Sequence, residues 1–158
     1  MIEFLLGKLS HILSGLTKPR KLRPLESLVL EAWRNSLPDA CREVLDSQLQ
    51  AVSLIQRQAG DAKVCFYYPA ESGVPLFTNQ AEWARIATVV VADRSGNATH
   101  RMSVDLFIVK GRFFSIEFPK RPERYLKLHR IQESDLQVIE VASSPSPASW
   151  QLREKDDD

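Results

Sequence analysis

Residues 102–119, Met-Ser-Val-Asp-Leu-Phe-Ile-Val-Lys-Gly-Arg-Phe-Phe-Ser-Ile-Glu-Phe-Pro, constrain the fold more than any other stretch. Val104, Leu106 and Ile108 alternate with Ser103, Asp105 and Phe107, the period of a strand with one dry face. Beyond Lys110-Gly111-Arg112 the alternation resumes, with Phe114, Ile116 and Phe118 set against Phe113, Ser115 and Glu117. Opposed residues of an antiparallel pair share a face. A two-residue loop would pair Leu106 with Ser115 and mix the faces. A three-residue loop keeps Val104, Leu106, Ile108, Phe114, Ile116 and Phe118 together. The dry face therefore predicts a three-residue loop with Gly111 in the left-handed position. Pro119 has no amide hydrogen for the ladder and ends the second strand.

Helical patterns precede this hairpin. Leu25, Leu28, Val29, Ala32 and Trp33 fall on one face of a helix, which Pro38 breaks. Pro38 opens a further helix whose inner stripe is Cys41, Val44, Leu45, Gln48, Val52 and Ile55, with Gly60 as its stop. The short break predicts an antiparallel helix pair. Strand patterns then appear at residues 63–68, at 86–92 (apolar on both faces, hence an inner strand) and at 136–141. Asn79-Gln80-Ala81-Glu82 has capping-box spacing and predicts a helical turn containing Trp83. Residues 93–97 form a turn, and residues 123–135 are polar and partly helical. The expected fold class is α+β, with N-terminal helices packed on one face of a four- to five-stranded, mainly antiparallel sheet. Three segments follow: an amphipathic helix and basic linker (1–24), a single domain (25–142) and a disordered tail (143–158) with Pro145, Pro147 and a closing Asp-Asp-Asp.

The N-terminal segment is the unusual part. Ile2, Leu5, Leu6, Leu9, Ile12, Leu13 and Leu16 trace a complete helical stripe, with Glu3, Lys8, Ser10, His11 and Ser14 opposite. Lys8 interrupts any run long enough to span a bilayer, which takes about 20 apolar residues. Glu3 comes first and the basic cluster follows, the reverse of a secretory signal, so the segment reads as neither signal nor span. The cluster is Lys18, Arg20, Lys21 and Arg23, with Pro19 inside it and Pro24 closing it, in an extended linker. A second basic stretch holds Lys120, Arg121, Arg124, Lys127 and Arg130, with Tyr125 available for stacking. The formal net charge of the chain is only +1, so no global field selects nucleic acid or membrane.

Motifs of chemistry are sparse. There is no P-loop, no dinucleotide glycine motif, no Gly-x-Ser-x-Gly and no local histidine or cysteine pair with metal-ligand spacing. Asp105 and Glu117 are expected on one wet face of the hairpin, but polar residues there are also what a one-sided sheet requires. Cys41 and Cys65 read as buried structural thiols, in keeping with a reducing cytoplasm. The sequence thus names no catalytic residue, no cofactor and no metal. The reading it favours is a cytoplasmic, non-enzymatic module that associates through its N-terminal helix with a partner protein or itself, as a homo-oligomer in the latter case. The alternatives are a peripheral protein on the inner face of a membrane, using the same helix and basic cluster, and a nucleic-acid binder using both basic stretches.

Overall fold

The computed structural model describes residues 21–79, 81–94 and 100–143. The N-terminal stripe from Ile2 to Leu16, Lys18, Arg20, and almost all of the tail expected from residue 143 onward lie outside the described residues. So does most of the turn expected at residues 93–97.

Helix α1 (Pro24–Ser36) opens on a proline, whose missing N–H would have had no helical acceptor there. Two neighbouring amides find carboxylates instead. Arg23 N–H donates to Glu26 Oε2 and Leu25 N–H to Glu133 Oε1, each at 2.8 Å. Pro38 separates α1 from α2 (Asp39–Ala51), which buries Cys41, Val44, Leu45 and Gln48. Here the structure departs from the expected helix. It stops at Ala51, and residues Leu54–Gln58 form strand β1. Val52 and Ile55 continue the helical spacing only because the strand turns its apolar side chains toward the same core. Gly60 is accordingly part of a hairpin turn, at φ +65°, and not a helix stop.

Six strands build one antiparallel sheet in the order β1-β2-β5-β4-β3-β6, one more than the upper expectation because β1 was hidden in a helical pattern. The others are β2 (Lys63–Tyr67), β3 (Ala84–Asp93), β4 (Arg101–Val109), β5 (Arg112–Glu117) and β6 (Leu136–Ser143). Helix α3 (Pro122–His129) and a single 3₁₀ turn (Glu133–Asp135) connect β5 to β6. The expected inner strand is β3, flanked by β4 and β6. Residues 81–83 form a bend and no helix; Ala81 N–H donates to Asn79 Oδ1, a turn contact rather than a cap.

The central hairpin resolves the loop question differently from the expectation. Val109 pairs with Arg112 across a two-residue turn, with Lys110 at φ 49° and Gly111 at φ 77°. Ile108 then pairs with Phe113, yet Leu106 pairs with Ile116, because a bulge at Phe114 inserts one residue into β5. The bulge does what a longer loop would have done, restoring one dry face beyond it. Phe113 goes inward in place of Phe114, and Phe114 faces out. Gly111 is left-handed as expected, and the site admits nothing larger: a Cβ there would lie 2.7 Å from the Phe77 carbonyl oxygen.

The two N-terminal helices cover one face of the sheet, α1 over β3 and β6 and α2 beside β5. Trp33 is fully buried between them, stacked on Phe113 at 5.4 Å between ring centroids, and Phe66 packs on the same ring at 4.8 Å. Gln48 is the one fully buried amide of this layer. Its Nε2 donates to the Pro75 and Gly111 carbonyls and its Oε1 accepts Phe113 N–H, all within 2.9 Å. That single side chain ties α2 to the loop before β3 and to the central turn.

Candidate functional site

Lys21 is the first described residue, and the chain around it joins the basic linker to the domain. Lys21 O accepts Arg57 Nη2 at 3.1 Å, and Leu22 packs against the core. Arg57, on the edge strand β1, grips Glu26 with Nε and Nη2 at 2.8 and 2.6 Å. Glu26 is almost fully buried, and Arg57 is partly buried. The pair fastens the start of α1 to the sheet edge.

The same edge gathers both basic stretches. Arg23 reaches across to Asp61 at 2.6 Å, and Asp61 holds its guanidinium even more firmly protonated than usual. The Arg121 side chain lies over Gly60, one residue away in the same β1–β2 turn. This turn runs through Ala59, Gly60 and Asp61, all at positive φ, and Phe118 N–H donates to Ala62 O at 2.7 Å, so the approach to α3 is pinned against it. Cations nearly a hundred residues apart in sequence therefore share one surface. Lys120, Arg121 and Arg124 line a concavity of about 390 Å³ with Tyr125 and Leu128. Among the described residues, no carboxylate lies within 4 Å of Lys21, Lys120, Arg121, Arg124, Lys127 or Arg130. Leu128 stands in their midst 70% exposed. Tyr125, by contrast, is buried, and burial pushes its phenol up.

The face of the sheet away from the helices presents a second cluster that the sequence did not signal. Trp83, half exposed, packs edge-on against Phe107 at 5.1 Å and near Phe114 at 6.4 Å, and Lys63 Nζ sits 4.4 Å from its ring. Tyr67 meets Phe114 edge-on at 6.0 Å. Ser115 and Cys65, neighbours across the β2–β5 ladder, are both buried. Trp83 was misplaced by its capping-box neighbours, and Phe114 by the unseen bulge.

Asp105 and Glu117 are direct partners in register on this face, as the hairpin pattern implied. Each has its own companions. Asp105 Oδ1 accepts Thr88 O–H at 2.6 Å, with Arg85 at 3.7 Å, and Glu117 Oε1 accepts Ser115 O–H at 3.0 Å and pairs with Lys63 at 2.7 Å. Both cysteines are buried free thiols, and burial pushes both up. His100 and His129 meet each other at 4.3 Å beside Tyr125, while Cys65 lies among Lys63, Tyr67 and Glu117. Among the described residues no group of three or more His, Cys, Asp or Glu side chains could hold a metal ion. No helix among them is long and apolar enough to cross a membrane.

No known protein family, curated protein or solved structure matches this chain.

Proposed function

We propose that this protein is a non-enzymatic module that docks on an anionic membrane surface, at the cytoplasmic leaflet, through its N-terminal amphipathic segment and the basic edge of its domain. The observation that carries the reading is the meeting of Arg23 and Arg121 on one turn, close in sequence to the first described residue, Lys21. Lys21, Lys120, Arg121 and Arg124 are cations with no carboxylate within 4 Å among the described residues, and each such charge near an anionic leaflet contributes about 1 kcal/mol. Leu128 adds an apolar tip among them. The aliphatic stripe Ile2, Leu5, Leu6, Leu9, Ile12, Leu13 and Leu16 supplies what charge alone does not, an apolar face to bury at the headgroup boundary. A nucleic acid would satisfy the cations but offers no shelter to seven aliphatic side chains, which is why lipid is the favoured source of anions.

Flotation of the full chain tests this. Vesicles of phosphatidylcholine with a third phosphatidylglycerol, as a rough match to an anionic leaflet, are expected to carry the protein, and pure phosphatidylcholine vesicles to carry much less. Equal flotation on both, or retention by a short RNA duplex in preference to the anionic vesicles, would count against it.

The half-exposed Trp83 with Phe107 and Phe114 favours a second reading. There the stripe of one copy covers the aromatic sheet face of another, since the twenty residues before Lys21 start beside the edge of the same sheet. Sedimentation equilibrium distinguishes the two: this reading predicts a dimer that Trp83→Ala dissociates, and a monomer at all concentrations removes it.

A further inference from the structure

Between β2 and β5 the sheet comes apart, and the gap has the chemistry of a ligand site. The two strands pair only from Lys63 to Cys65. Beyond Cys65, β2 keeps its bonds to β1, but the bulge at Phe114 swings β5 away. Tyr68 closes the back of the gap, donating its hydroxyl to Phe113 O at 2.6 Å where a ladder bond would otherwise lie. What remains is an open-mouthed cleft of about 420 Å³, walled by Tyr67, Tyr68, Phe114 and Leu76, with Lys110 at its rim and Arg112 inside. Its volume and aromatic walls fit the usual small-molecule site, which has a few polar groups in an apolar frame.

Arg112 is the unresolved charge of the cleft. Its guanidinium stands 6.0 Å from the Tyr68 ring, its Nε is shut off from water, and neither that nitrogen nor the rest of the fork has a hydrogen-bond partner or carboxylate among the described residues. A half-buried guanidinium without an acceptor is costly, and a carboxylate meets it with two parallel N–H···O bonds. The Tyr68 hydroxyl is already committed to Phe113, and Lys110 leans toward Glu82 at 3.3 Å. Arg112 is thus the cation of the cleft left without a carboxylate among the described residues, and its planar fork matches a carboxylate. Three aromatic walls select a flat ring. We propose that this cleft binds a small aromatic carboxylic acid, its carboxylate on Arg112 and its ring between Tyr67, Tyr68 and Phe114. The site is independent of the membrane reading and uses none of its residues.

The test uses the full chain with 1-naphthoate, 1-naphthalenemethanol and acetate as probes, followed by calorimetry and by the side-chain Nε–H signals of arginine in NMR. Naphthoate is expected to bind saturably and to move the Arg112 Nε–H resonance. The neutral alcohol and acetate should each bind at least about tenfold more weakly, the alcohol for want of the paired hydrogen bonds and acetate for want of the ring. Arg112→Met, which keeps the stem and breaks no hydrogen bond, should lower naphthoate affinity by at least about tenfold. No saturable binding, equal affinity for acid and alcohol, or an unmoved Arg112 signal would each overturn the assignment. Those three readings come from the wild-type chain and stand even if the variant does not fold.

Discussion

Replacing Glu26 with alanine should destabilise the domain far more than removing a surface charge would, and the structure gives the size. Glu26 accepts three N–H groups: two from Arg57, at 2.8 and 2.6 Å, and the Arg23 amide at 2.8 Å. The Arg57 side chain is 19% exposed and that of Glu26 4%. Truncation leaves a mostly buried guanidinium without its anion and strips a helix-start amide of its acceptor. Breaking a buried pair from one side costs roughly 3–5 kcal/mol, and the residual exposure of Arg57 places this case at about 3. A domain of this length has an unfolding entropy of roughly 0.25 kcal/mol/K, so the midpoint should fall by about 12 °C. The double variant Glu26→Met, Arg57→Met should recover most of the loss, because two apolar side chains leave no orphaned charge. Urea melts of the wild type, Glu26→Ala and the double variant, with the m-value checked for constancy, measure this directly. A Glu26→Ala loss below about 1 kcal/mol, or a double variant no better than Glu26→Ala, would refute the view that this pair pins the start of α1 to the sheet edge.

Other substitutions probe the central turn. Gly111→Ala forces a left-handed alanine against the Phe77 carbonyl and should cost at least about 2 kcal/mol in the same assay, whereas Lys110→Asn, at the neighbouring positive φ, should be neutral or stabilising. Gln48→Leu keeps the volume but takes the acceptor from Phe113 N–H and the Gln48 donor from the Pro75 carbonyl, leaving Gly111 O with its bond from Phe77 N–H, for a loss of about 3 kcal/mol. Both thiols are pushed up by burial, so they stay protonated as the pH rises past the ordinary thiol range. Their reaction with a disulfide reagent at pH 8 should therefore be slow in the native state and immediate in denaturant. Asp46 carries the opposite shift, lowered by its hydrogen bonds to Arg34. Its contribution is present above the ordinary carboxylate range and disappears as pH falls through the lowered folded value, so Asp46→Asn should flatten the acid limb of the stability profile.

The hairpin alternation at residues 104–108 announced a strand with one dry face, and its partner, because side-chain period and face are the same fact. Gly111 was legible for a related reason: only glycine enters the left-handed region cheaply. The loop length was not, since a bulge and a longer turn give the same downstream faces, and alternation cannot distinguish them. Strand β1 was invisible because Val52 and Ile55 fall three residues apart by coincidence of a helix end with a strand start. Asp105 and Glu117 could be placed opposite each other from the hairpin alone. The meeting of Arg23 with Arg121 could not, because it depends on how the β1–β2 turn, absent from the expected fold, reaches α1 and α3 at once. Arg112 gave no signal either: in sequence it is one of many surface-like arginines, and only the end of the β2–β5 pairing at Cys65 leaves it without a hydrogen-bond partner among the described residues.

The central claim is that the basic edge and the N-terminal segment act as one anionic-surface face, and a charge variant tests it without disturbing the core. Lys120→Gln, Arg121→Gln and Arg124→Gln together remove three cations that have no carboxylate within 4 Å among the described residues, worth about 3 kcal/mol at an anionic leaflet, or on the order of a hundredfold in partitioning. Vesicle co-sedimentation at low salt should show the triple variant binding on the order of a hundredfold more weakly than the wild type, with the gap closing as salt is raised. Equal partitioning of the two proteins at low salt would contradict the account.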